Sequence, residues 1–127
     1  MRVLYVASDV ELSTAHGGAV HVREAASGLA RLGHAVRAVV KRSAGEGRLG
    51  TESGFEVRRT LHHVPVRALR LLALPAVLSE VRRFRPDVVV ERYYNFGGEG
   101  VIAAGRHGLP AVLEVNSPMV EYPRSPK

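Results

Sequence analysis

The feature that most constrains this chain is a set of short, nearly unbroken apolar runs set apart by segments with helical spacing. The runs are Val3 to Ala7, Ala35 to Val40, Val88 to Val90 and Ala111 to Val115. Runs of this length with little alternation read as strands buried on both faces. Between the first two, Val22, Ala25, Ala26, Leu29 and Ala30 share one helical face, and Arg23, Glu24, Ser27 and Arg31 take the other. Ahead of the third, Val66, Leu69, Ala73, Val77, Val81 and Phe84 form a second stripe, with Arg67, Arg70, Glu80, Arg82 and Arg83 off it. Strands that alternate with helices pair in parallel through right-handed crossovers by default. The expected fold is therefore α/β: a Rossmann-like parallel sheet of about five strands with flanking helices, built as one domain over residues 1–127.

Glycine and proline mark the ends. The first strand runs from Arg2 to Ala7, and a loop of small and polar residues follows from Ser8 to Ala19. The first helix runs from about Val20 to Leu32, and Gly33 stops it by taking a left-handed conformation at little steric cost. Lys41 to Gly54 reads as a surface loop, and Phe55 to Thr60 as a strand near a sheet edge. Pro65 opens a helix at its first turn, Pro75 kinks or restarts it, and Arg85-Pro86 ends it. The strand Asp87 to Glu91, a loop from Arg92 to Gly98, a helix from Glu99 to His107 and the strand Ala111 to Val115 complete the order.

Composition removes several classes of function. The chain is 46% apolar, as a packed globule requires, and it has no cysteine. A disulfide framework and thiolate metal sites are therefore excluded, and a cytoplasmic location is expected. Met1 to Ala7 is too short for a signal peptide core, because Ser8-Asp9-Val10-Glu11 follows at once. The formal net charge of +6 suits an anionic partner. The arginines are scattered from Arg2 to Arg124 rather than massed on one element, so no nucleic-acid partner is expected. The six histidines offer no metal set, and His62-His63 has no matching carboxylate motif, so no metal is expected.

Open parallel sheets bind ligands beyond the carboxyl ends of their strands. Three segments meet there if the first strand neighbours Asp87 to Glu91. One ends in His16-Gly17-Gly18-Ala19-Val20-His21, where glycines at a helix start let backbone N–H groups approach a phosphate. The second, Glu91-Arg92-Tyr93-Tyr94-Asn95-Phe96-Gly97-Gly98, gathers aromatic faces and hydroxyls suited to a sugar or base, with Arg92 for an anion. The third places Glu114 and Asn116 on one face of what reads as a central strand, with Arg92 or a ligand hydroxyl as the partner such a carboxylate needs.

These segments resemble the family-4 glycosyltransferases of the GT-B fold. The likeness is carried by Val3-Leu4-Tyr5-Val6, by His16-Gly17-Gly18-Ala19-Val20-His21-Val22 and by the helix running to Gly33-His34. It continues through Arg85-Pro86-Asp87-Val88-Val89-Val90, Gly108-Leu109-Pro110 and Leu113-Glu114-Val115-Asn116-Ser117-Pro118. The resemblance implies one half of a GT-B fold, the N-terminal and acceptor-side domain of a retaining enzyme. Such an enzyme moves a sugar from a nucleotide-sugar co-substrate to a glycan, lipid or small-molecule acceptor and usually needs no divalent metal. It places Gly17 and Gly18 against the donor phosphates. It puts His16, His21, Arg92, Tyr93, Tyr94, Asn95, Glu114 and Asn116 on the acceptor and sugar side. Many members carry a histidine where Asn116 stands, so no catalytic role is carried over to Asn116.

The family's C-terminal domain, which holds most of the donor nucleotide, has no counterpart in these residues. The chain then reads as a natural truncation, an excised domain or one half of a split enzyme with a C-terminal-domain partner chain, and this half alone should transfer poorly. Some members act on anionic lipids, which adds peripheral contact at the inner face of a membrane to the expectations. Two other readings stand. One is an NADP-binding oxidoreductase, for which Lys41-Arg42 would meet the 2′-phosphate although no G-x-G-x-x-G follows the first strand. The other is a non-catalytic interaction module.

Overall fold

The computed structural model describes residues 1–61, 67–94 and 96–116. The elements in chain order are β1 (Arg2–Ala7), α1 (Gly17–Arg31), β2 (Ala35–Lys41), β3 (Leu49–Glu52), β4 (Phe55–Thr60), a 3-10 helix (Arg67–Ala73), α2 (Leu74–Phe84), β5 (Val88–Arg92), α3 (Glu99–Arg106) and β6 (Ala111–Glu114). They form a six-stranded sheet in the order β3-β4-β2-β1-β5-β6. Every pairing is parallel except β3 with β4.

Side-chain alternation along the strands divides the core between two faces. Val3, Tyr5, Ala7, Val36, Ala38, Val40, Phe55 and Val57 pack with Val22 and Ala26 of α1. Leu4, Val6, Val39 and Val89 pack with Val77, Val81 and Phe84 of α2 and with Ala103 and Ala104 of α3. Each fully buried valine or leucine side chain contributes roughly 1.5–3 kcal/mol, so the sheet centre carries most of the stability.

Three expectations change here. The loop Lys41 to Gly54 contains β3, joined to β4 by a two-residue turn in which Ser53 and Gly54 both have positive φ (45° and 88°). That twist matches a hairpin. Arg23 of α1 holds β3 in place by bonding Glu52 at 2.5 Å. The strand Phe55–Thr60 lies near the sheet edge, as expected, with β3 outside it. The sequence places β6 at the centre, yet it lies at the opposite edge, where Val112 and Leu113 are about half exposed. Finally, α1 begins at Gly17, three residues earlier than the apolar stripe indicates.

The proline at position 75 restarts the second helical segment. The stretch before it winds as a 3-10 helix, and Pro75 sits in the first turn of α2. Winding at three residues per turn lines up Arg70 with Ala73, and both are fully buried. Leu69, placed in the stripe by an α-helical count, is 46% exposed instead. Glu80 of α2, expected off the stripe, is buried and bonded to Arg37 at 2.6 Å. Among the described residues, no helix is long and apolar enough to cross a membrane.

Candidate active site

The sheet's carboxyl edge opens into a cleft of about 330 Å³. Its walls are Asp9, Glu11 and Thr14 from the loop after β1, His16, Gly18 and Ala19 from the start of α1, Lys41 from the end of β2, Arg92 from the end of β5 and Tyr94 after it. β1 lies between β2 and β5, so three strand ends converge where doubly wound sheets bind ligands. The loop is tied down by Val10, whose carbonyl accepts the Lys41 N–H at 2.8 Å.

The amino end of α1 faces this space without a side-chain cap. His16 stands at the cap position in an extended conformation, makes no capping hydrogen bond, and no acid occupies the first turn. The unpaired N–H groups and the helix dipole therefore remain available to an anion. Neither Gly17 nor Gly18 has a positive φ. Gly18 matters for space: a Cβ there would lie 3.3 Å from Arg92 Nη2. Its absence lets the guanidinium sit beside the helix end. Nothing would crowd a side chain at Gly17, which does not line the cleft.

Beneath the cleft lies a charged cluster that sequence reasoning missed. Arg70 is fully buried and donates to Glu99 Oε1 at 2.7 Å, Asp9 Oδ1 at 2.9 Å, the Arg92 carbonyl at 3.1 Å and Glu91 Oε1 at 3.2 Å. Glu91 also accepts the backbone N–H groups of Gly98 and Val101, each at 2.8 Å. Burial pushes the Glu91 carboxyl above its usual range, and the Glu99 charge adds to this. The two backbone N–H groups and Arg70 oppose it. Arg92 Nη1 lies 3.7 Å from Asp9 Oδ2, so the cluster reaches the cleft wall through Asp9. The available signal was two acids at or just beyond the ends of adjacent strands, Glu91 and Asp9, and a third, Glu99, opening the next helix, which need a common counter-ion.

A second group centres on Glu114. Its Oε1 accepts from His21 Nε2 at 2.7 Å, Tyr5 Oη at 2.9 Å and Asn116 Nδ2 at 2.9 Å. Burial acts to raise the Glu114 carboxyl, but these donors outweigh it and hold it below the usual range. Tyr5 is shifted upward, chiefly by burial and then by Glu114, so its hydroxyl stays protonated and donates. Among the described residues, the side-chain partners of Glu114 are these three, and not Arg92. The expected site residues thus divide. His16, Gly18, Arg92 and Tyr94 share the cleft, while His21, Glu114 and Asn116 form a neighbouring cluster. Tyr93 lines a separate apolar hollow of about 270 Å³ with Tyr94, Phe96 and Val101. Asn95 and the pair His62-His63 lie outside the described residues.

Comparison with solved structures defines the class. Sucrose-phosphate synthase from Thermosynechococcus elongatus superposes with a TM-score of 0.67 at 14% identity, covering 88% of this chain and 31% of that one. MurG from Acinetobacter baumannii gives 0.59 at 17% identity over 88% and 34%, and a glycosyltransferase from Rickettsia africae 0.59 at 15% over 93% and 31%. The fold is that of GT-B glycosyltransferases, and the chain spans about a third of the length of each of these structures. The family model for a glycosyl transferase 4-like domain matches residues 16–127, so the chain belongs to the glycosyl transferase 4-like family. No curated protein sequence matches it.

Proposed function

We propose that this chain is the acceptor-side domain of a retaining glycosyltransferase that uses a nucleotide-sugar donor and no divalent metal. The observation that carries the reading is the cleft itself, where the uncapped end of α1, Arg92 and Lys41 face one space. These groups suit the diphosphate of a donor, and Tyr94 with His16 suits sugar hydroxyls. A second domain would supply the rest of the nucleotide site and most of the stabilisation of the leaving diphosphate. His21 and Glu114 belong to the acceptor side in this reading, with Glu114 fixing the imidazole. Exposed Leu69, Leu71 and Leu72 on the 3-10 helix support peripheral contact with the inner face of a membrane.

The test is a titration of the folded chain with UDP-, GDP- and ADP-sugars and with NADP, followed by amide NMR. A nucleotide-sugar should shift the signals of Gly18, Ala19 and Arg92, and Arg92→Gln should weaken that response. Saturable NADP binding in the cleft, with no response to any nucleotide-sugar, would overturn the proposal.

A further inference from the structure

The carboxyl edge carries a second polar hollow beyond the cleft. Arg42, Arg48, Arg58, Arg59, Thr60 and Leu61 line a space of about 330 Å³ where β4 ends beside the hairpin. Four arginines share it, and two acids lie within reach among the described residues. Glu46 Oε2 is 3.4 Å from Arg59 Nε. Glu80 is 3.6 Å from Arg58 Nε and already bonded to Arg37. Neither Nε makes a hydrogen bond among the described residues. Arg48 is exposed and has no ion pair among the described residues.

The arginines are held in place by the fold. Arg59 lies across Gly50, where a Cβ would come within 2.7 Å of Nη1, and it donates to the Gly47 carbonyl at 3.3 Å. Arg42 donates through Nε to the Glu46 carbonyl at 2.7 Å, and its backbone N–H bonds the Thr60 carbonyl at 2.8 Å. The Arg59 N–H bonds the Arg48 carbonyl at 2.7 Å. Guanidinium groups fixed around one space and short of acids repel one another, and an oxyanion relieves that repulsion with charge-assisted hydrogen bonds. The hollow lies one strand across from the cleft. Lys41 in the cleft wall is in register with Thr60 in the wall of the hollow.

We infer that this hollow binds a phosphate-type oxyanion carried by the acceptor, so that an anionic acceptor spans from the hollow to the cleft. The inference rests on the acceptor-side reading above. It fixes the acceptor's chemistry as anionic, whether the phosphate belongs to a soluble molecule or to a lipid headgroup.

The experiment titrates the folded chain with inorganic phosphate and pyrophosphate, following the amide signals of Arg42, Arg48 and Thr60. A parallel arm measures sedimentation with phosphatidylglycerol vesicles against phosphatidylcholine vesicles. The variants are Arg42→Ser/Arg48→Ser and, as a control of equal charge per site far from the hollow, Arg31→Ser/Arg106→Ser. A soluble source predicts saturable pyrophosphate binding at the three signals, weakened about tenfold or more in the first variant and retained in the control. A lipid source predicts binding to the anionic vesicles alone, with the same dependence on Arg42 and Arg48. Either supports the inference, and both should weaken as salt rises. Equal losses in the two variants, or no saturable binding of either probe, would overturn it. Failure of the glycosyltransferase reading registers instead at Gly18, Ala19 and Arg92 in the nucleotide-sugar titration, so the two failures are separable.

Discussion

At the scale of single residues, Arg70 and Glu114 carry the most consequence. Arg70 compensates three buried acids, so Arg70→Met leaves them without a counter-charge and should cost about 3–5 kcal/mol. The sign with pH follows. Without Arg70 the acids favour their neutral forms in the folded state, so the variant should regain stability as pH falls, which urea unfolding across the acid range would show. Glu91 already behaves this way in the native chain: with a raised carboxyl, its contribution is present below the usual range and lost as pH rises. Glu114 has the opposite sign, because its lowered carboxyl contributes stability above the usual range and loses it as pH falls. Glu114→Gln should therefore flatten the acid limb of the stability profile; an unchanged limb would refute this. Glu114 was legible in the sequence because a carboxylate on an apolar strand stands out. Arg70 was hidden, since one arginine among leucines and arginines looks like the solvated side of a helix. Two of its three acids, Asp9 and Glu99, lie 61 and 29 positions away.

At the scale of elements, α3 sets local preference against packing. Gly100 sits in its first turn, where alanine is ordinarily better by up to about 1 kcal/mol. Yet a Cβ at Gly100 would meet Glu91 Oε2 at 3.1 Å and Val6 Cβ at 3.2 Å. Packing wins, and Gly100→Ala should destabilise by about 1–3 kcal/mol in thermal or urea unfolding. A stabilised variant would show that the helix moves outward freely. The same contest explains what could be read from the chain. Strands with apolar runs, such as Val88 to Val90, declared themselves. β3 did not, because Leu49-Gly50-Thr51-Glu52 buries little and owes its form to pairing with β4 and to Arg23. Its one local signal was Ser53-Gly54, a pair suited to a tight hairpin. Gly17 and Gly18 were placed at a helix start, but the helix proper reaches back to include them.

At the scale of the whole molecule, the strand order predicts a gradient of local stability. β1, β2 and β5 are paired on both sides, while β3 and β6 each have one neighbour and exposed side chains. Amide exchange should be slowest at Leu4 to Val6 and fastest among strand residues at β6 and β3; comparable protection in β6 and β1 would contradict this. The overall architecture was legible because apolar runs and helical stripes alternate. The lateral order was not, since a strand's neighbours depend on crossovers that no local pattern records, and β6 was read as central for that reason. The same order bears on synthesis. β1 is made before both strands it pairs with and lies between them, and one of its two flanks is filled by a strand whose register partners, Val3 with Val88, are 85 residues apart. At about 5–20 residues per second, the ribosome needs roughly 4–17 s to deliver that partner. For that interval the strand Arg2–Ala7 keeps one row of backbone N–H and C=O groups without its native partner, the kind of edge on which strands mispair.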